Sequence, residues 1–150
     1  MGTRGAFGFR RRGKTYMIYN HFDSYPSGLG CWFVSDIQEI LKTMTLEDLG
    51  KIIDAFIVYD EHTSTCSILG TGMNIPVDTS KSYDDGYNGL QEIIKNGYIR
   101  VMAGDDIASG QYDIEYYYIL DFDNELFEAC DLCGIHGKYS LSEILRKNPF

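Results

Sequence analysis

The period of the hydrophobic positions changes several times along the chain, and each change marks an element. Arg4 to Arg10 and Thr15 to Asn20 carry β-favouring bulk at Ala6, Phe7, Tyr16, Ile18 and Tyr19 and are joined by Arg11-Arg12-Gly13-Lys14. They predict a hairpin turning at Gly13. His21-Phe22-Asp23-Ser24-Tyr25-Pro26 predicts a loop closed by proline. Leu29, Phe33, Ile37, Ile40 and Leu41 then line one helical face, with Ser27 as the expected N-cap. Gly28 and Gly30 either weaken the first turn of that helix or let another group approach its backbone. A second helix is predicted from Leu46 to about Phe56, capped by Thr45, with Glu47 and Asp48 at its positive end. Ile57 to Tyr59 predicts a short strand, and Cys66 to Leu69 another inside the polar stretch 60–85. A third helix is expected from about Asp85 to Lys95, closed by Asn96-Gly97, followed by a strand over Tyr98 to Ala103.

The strongest alternation lies at Ile114, Tyr116, Tyr118, Leu120 and Phe122, with Glu115, Tyr117, Ile119 and Asp121 on the other face. Asp123-Asn124 is the expected two-residue turn, and Glu125 to Ala129 the returning strand. Ser140-Leu141-Ser142-Glu143 is a capping box that opens a last helix, ended before Pro149. Hairpins and helices alternate without a β-α-β rhythm. The expected fold is one α+β domain over residues 1–150, a mainly antiparallel sheet of hairpins with about four helices.

Charge adds an asymmetry. The net charge is −9, yet five of the 13 bases (Arg4, Arg10, Arg11, Arg12 and Lys14) lie in the first fourteen residues with no acid among them. From Asp105 to Asp131 there are nine acids and no base. Such a body repels a phosphate backbone, so nucleic acid is excluded as a general partner, except through the basic N-terminal hairpin. That hairpin is either a solvated tip or a contact for phosphate or for the acidic body of a second copy. No run of eighteen apolar residues offers a membrane-spanning helix, and the N-terminus lacks a signal-peptide core, so secretion is not expected.

Candidate chemistry is sparse. Asn20, His21, Asp23 and Tyr25 form the densest polar-aromatic cluster. His21 and Asp23 share a face if the strand persists, an arrangement in which a carboxylate orients an imidazole as a general base. The structural alternative is that Asp23 bonds backbone amides ahead of the helix. Cys130-x2-Cys133 with His136, and His62 with Cys66, have ligand types suited to zinc. A single C-x2-C and the missing knuckle glycine favour reduced thiols instead, and no metal or cofactor is assigned.

Thr3-Arg4-Gly5 and Tyr19-Asn20-His21-Phe22-Asp23-Ser24-Tyr25-Pro26-Ser27-Gly28-Leu29-Gly30 resemble a family of uncharacterised proteins encoded by bacteriophages, bacteria, fungi and large double-stranded DNA viruses. Asp113 to Asp121 is similar to a late tyrosine-rich strand of many members. Ser24 stands where many relatives carry glycine, the form that looks most like the viral and fungal members. The resemblance implies a fold class and a virus-linked origin, hence a virion or host-cytoplasm location, and no reaction. The binding residues expected on the combined reading are Arg4, Asn20, His21, Asp23 and Tyr25.

Two function classes follow. One is a non-catalytic structural or interaction protein, self-associating as a homodimer through its basic start and acidic body and open to other viral or host proteins. The other is a site-based function: a small ligand bound at the His21-Asp23-Tyr25 loop, or a small hydrolase with an N-terminal nucleophile. The hydrolase requires Thr3 at the mature terminus, because Gly2 carries no nucleophile.

Overall fold

The computed structural model describes residues 3–78, 86–102, 114–131 and 134–150. The opening hairpin pairs β1 (Gly5–Arg11) with β2 (Lys14–Asn20) in antiparallel register, Gly5 opposite Asn20 and Arg11 opposite Lys14. Its turn residues Arg12 and Gly13 both have left-handed backbones, the geometry whose twist matches a two-residue hairpin. A single π-helical turn, Pro26–Gly30, leads into α1 (Cys31–Ile40), so Ser27 is not the N-cap; the residue ahead of the turn is Tyr25. Helix α2 (Leu46–Asp54) opens with the Thr45 cap, extended to a full capping box by the Asp48 side chain. After it come β3 (Ile57–Asp60), β4 (Thr65–Ile68), β5 (Asn74–Ile75), α3 (Leu90–Asn96) and β6 (Tyr98–Val101). The third helix thus begins at Leu90, five residues later than its pattern suggested; Asp85 and Ala103 lie outside the described residues. Gly97 ends it in the left-handed conformation.

The chain closes with β7 (Tyr116–Asp121), β8 (Leu126–Asp131), β9 (Gly134–Ser140) and α4 (Leu141–Arg146). Asp121 pairs with Leu126, so the connection is four residues, Phe122 to Glu125, rather than the two-residue turn expected at Asp123-Asn124. The Asp121 carboxylate explains the longer loop, since it accepts hydrogen bonds from both the backbone and the side-chain amide of Asn124.

Among the described residues two sheets result, in the orders β2-β1-β7-β8-β9 and β5-β4-β3-β6. The expected α+β class holds. Among the described residues five strand pairs are antiparallel and two, β1 with β7 and β3 with β6, are parallel. One core joins both sheets to the helices: Phe7, Phe9, Tyr118 and Phe127 from the larger sheet, Val58 and Ile99 from the smaller, Phe33, Ile37 and Leu49 from α1 and α2. A second cluster on the opposite face of the larger sheet buries Ala6, Met17, Met102, Ile114 and Ile119. Strands β1, β2 and β7 are therefore covered on both sides, and on the face of β7 opposite Tyr118 and Leu120 both Ile119 and Asp121 are buried.

The basic tip has partners within its own chain. Arg11 and Arg12 each reach both oxygens of Asp54 at 2.7–2.9 Å, and Arg11 also stands 5.1 Å over the Phe122 ring. Arg10 binds Asp121 at 3.1 Å and Glu128 at 2.9 Å. The backbone amides of Arg12 and Gly13 donate to Asp123. The three arginines expected to face solvent, phosphate or a second copy thus meet acids from α2, β7 and β8. The Arg12 guanidinium foremost, with Arg11 beside it, holds the Asp54 carboxyl at about 2. A lowered folded value means that the pairing stabilises the fold above the unfolded carboxylate range and fades as pH falls from about 4 to about 2. Asp54→Asn is expected to cost about 1 kcal/mol in urea unfolding at pH 7, with the gap to the parent narrowing towards pH 2. An equal gap at both pH values would show that the arginines are not the cause.

Candidate functional site

The loop after β2 is a corner assembled on buried polar groups. Asn20 is buried at the strand end and uses its whole amide. Its Nδ2 donates to Phe22 O at 2.6 Å and to Ser24 Oγ at 2.9 Å, and its Oδ1 accepts from Tyr87 N at 3.0 Å. Ser24 is fully buried; its N–H donates to Thr3 O at 3.1 Å, and its carbonyl accepts from the Tyr118 hydroxyl at 2.8 Å. Burial pushes that hydroxyl's pKa up, so Tyr118 remains a donor across the physiological range. The Asp23 carbonyl accepts from Leu29 N at 2.8 Å and ties the loop to the π-helical turn.

The close packing of this corner explains its glycines. A Cβ at Gly28 would collide with the Asp23 carbonyl oxygen, and one at Gly30 would meet the Tyr118 ring at 2.8 Å. Of the two readings open for these glycines, close approach is the one the structure takes.

Asp23 itself has a left-handed backbone, φ 54°, unusual outside glycine and tolerated best by Asn and Asp. The reversal puts His21, Phe22 and Asp23 on the wall of a cleft of about 480 Å³. The cleft lies where the two sheets meet. Met102 N donates to Met17 O at 3.0 Å and joins the end of β6 to the edge strand β2. Away from that bond, Ile18 and Asn20 of β2 and Tyr98, Ile99 and Arg100 of β6 line the opening. Ile93 and Asn96 of α3, the segment Gly86 to Asn88, and Trp32 at the start of α1 complete it. Phe22 and Trp32 are 62% and 44% exposed, large apolar rings held out to solvent.

Of the five expected binding residues, Asn20, His21 and Asp23 line this cleft, with Asn20 serving the scaffold. Tyr25 does not line it; its hydroxyl donates to Asp23 Oδ1 at 3.4 Å. Arg4 does not line it either. It sits just before β1 with its backbone N–H on Glu115 Oε2 at 3.1 Å and its carbonyl accepting from Glu115 N at 2.9 Å. The expected His21–Asp23 pairing is not made. His21 Nδ1 lies 2.8 Å from the Tyr19 hydroxyl, and its ring packs against the edge of Phe22 at 4.5 Å. Sequence reasoning missed Trp32, Asn88, Asn96 and Tyr98. Only Trp32 left a local signal, as a large ring off the apolar stripe of α1.

The zinc candidates separate. Cys66 is buried in β4 of the smaller sheet, while His62 is exposed in the preceding turn. Cys130 is buried in β8 of the larger sheet and bonded to the Tyr117 hydroxyl, and that burial raises its thiol pKa. Cys133 lies outside the described residues, as does the His136 side chain. Among the described residues no three His, Cys, Asp or Glu side chains are grouped to hold a metal ion, and no helix is long and apolar enough to cross a membrane. Thr3, on which the hydrolase reading turns, is tied to the corner through its carbonyl; Gly2 lies outside the described residues. Comparison with protein-family models, with curated proteins and with solved structures yields no match.

Proposed function

We propose that this chain is a non-catalytic binding domain that takes a small ligand in the cleft between its two sheets. The observation that carries this reading is the cleft itself: about 480 Å³, walled by exposed Phe22 and Trp32 and edged by His21, Asp23, Asn88 and Asn96. A hollow of this size that combines aromatic and aliphatic walls with convergent polar groups has the form of a small-molecule site. Binding is favoured over acid–base catalysis by the partners of the polar pair. His21 is oriented by a neutral hydroxyl, and Asp23 turns to Tyr25 rather than to the imidazole.

Trp32 is the single tryptophan of the chain and stands at the cleft, so its fluorescence reports on occupancy. The test is a titration with sugars, nucleosides, amino acids and organic cations, followed by that emission and by ligand-observed NMR. At least one class is expected to bind saturably and to shift resonances of Phe22, Trp32 and Tyr98. Absence of saturable binding to ~10 mM, or shifts confined to another face, would overturn the reading.

A further inference from the structure

We propose that the cleft recognises an organic cation, specifically a quaternary ammonium group carried on an alkyl arm. This rests on the reading of the cleft as a ligand site and adds the chemistry of its occupant. Four aromatic rings, Phe22, Trp32, Tyr87 and Tyr98, contribute to the lining. Ring faces attract a cation through their quadrupole, tryptophan most strongly, and a methylated ammonium is large and weakly hydrated enough to exchange water for rings.

The charges agree. Asp23 lines the same wall, and one of its carboxylate oxygens has no hydrogen-bond partner among the described residues; Tyr25 reaches the other. Arg100 is the cation among the described lining residues, and Glu61 binds it at 3.1 Å while its guanidinium stands 6.0 Å from the Tyr59 ring centre. Among the described residues, with Glu61 counted, Asp23, Glu61 and Arg100 leave the local balance negative, in a chain of net charge −9. A field of that sign raises the local concentration of cations and lowers that of phosphates and carboxylates.

The competing chemistries fit less well. A phosphate-bearing ligand would depend on Arg100, whose Nη2 is already bound by Glu61. A sugar would have to be held without Asn20, whose whole amide is engaged by the corner. The volume exceeds an ammonium head alone, which is why the ligand carries an arm. That arm belongs either to a free small molecule or to a trimethylated lysine side chain.

The experiment compares choline, trimethyllysine and the neutral isostere 3,3-dimethylbutan-1-ol on the intact chain, by Trp32 fluorescence and NMR. The cations are expected to bind about tenfold tighter than the isostere, with affinity falling as salt rises. Choline against trimethyllysine separates the two sources of the arm. Trp32→Ala should abolish binding, Trp32→Phe should retain a weakened form, and Asp23→Asn should lower affinity several-fold and flatten the salt dependence. Trp32 and Asp23 are exposed, so these variants keep the fold, which circular dichroism verifies. Equal binding of cation and isostere would overturn the inference. Binding of a nucleoside or sugar in the cleft without any cation would overturn it while leaving the ligand site standing, and an empty cleft against every class would remove both.

Discussion

Replacing Phe33 with alanine is expected to lower the unfolding free energy by about 3–5 kcal/mol. Phe33 is fully buried on α1 and sits among four rings from three other segments. Its centroid lies 5.7 Å from Phe7, 6.1 Å from Phe9, 5.9 Å from Tyr87 and 5.7 Å from Phe127. Three of these contacts join α1 to β1 and β8, and Tyr87 joins it to the segment leading into α3. A cavity at that meeting point cannot be closed by moving one element, because its neighbours belong to three separate segments. The loss is a large share of the roughly 5–15 kcal/mol that holds a domain of this kind folded. Urea midpoints should fall with an unchanged slope, and the melting temperature should drop by about 6–20 °C. A loss below about 1 kcal/mol would mean that the helix is held to the sheet by something else.

Asn20→Ala is expected to cost on the order of 3 kcal/mol, from a residue with no large apolar surface to lose. The penalty falls on the groups left behind. The Tyr87 amide loses its acceptor, the Phe22 carbonyl loses its donor, and buried Ser24 loses one of its partners. Leaving such groups dry and unmatched costs more than the bonds themselves contribute. Asn20→Asp keeps the acceptor for Tyr87 but deletes both donor bonds and buries a charge, so it should be no milder. Amide hydrogen exchange at Tyr87 separates the two: protection is lost in the alanine variant and retained in part in the aspartate one. The cleft wall hangs on this residue, so ligand binding should weaken in both variants. Normal stability of Asn20→Ala would mean that water replaces the amide and that the corner is softer than its packing indicates.

The two experiments probe different layers of one arrangement. Phe33 holds the helices to the sheet, and Asn20 holds the loop that carries His21, Phe22 and Asp23. Ordering Phe22 and Trp32 in solvent costs the fold and is recovered on binding, which is the usual relation between a preformed site and its scaffold.

The chain's local signals determined a good part of this structure. The Arg12-Gly13 turn, the caps at Thr45 and Ser140, the stop at Gly97 and the α1 stripe from Leu29 to Ile40 are properties of a few consecutive residues, and they hold wherever the segment is placed. The alternation at Tyr116, Tyr118 and Leu120 pointed to the core face correctly for the same reason. What only the tertiary structure decided involves partners far apart in sequence. The parallel pairing of β1 with β7 joins Gly5 to Tyr116, and β9 forms because β8 offers it an edge. The second buried face appears when Met17, Met102 and Ile119 come together, and the arginine tip finds Asp54 more than forty residues away. The cleft belongs to this second kind. His21 and Asp23 advertised themselves by type, but Tyr98 and Arg100 became neighbours of theirs through the seam at Met17 and Met102. A residue's own propensity acts over a turn or two; a site made where two sheets diverge depends on pairings that no local pattern encodes.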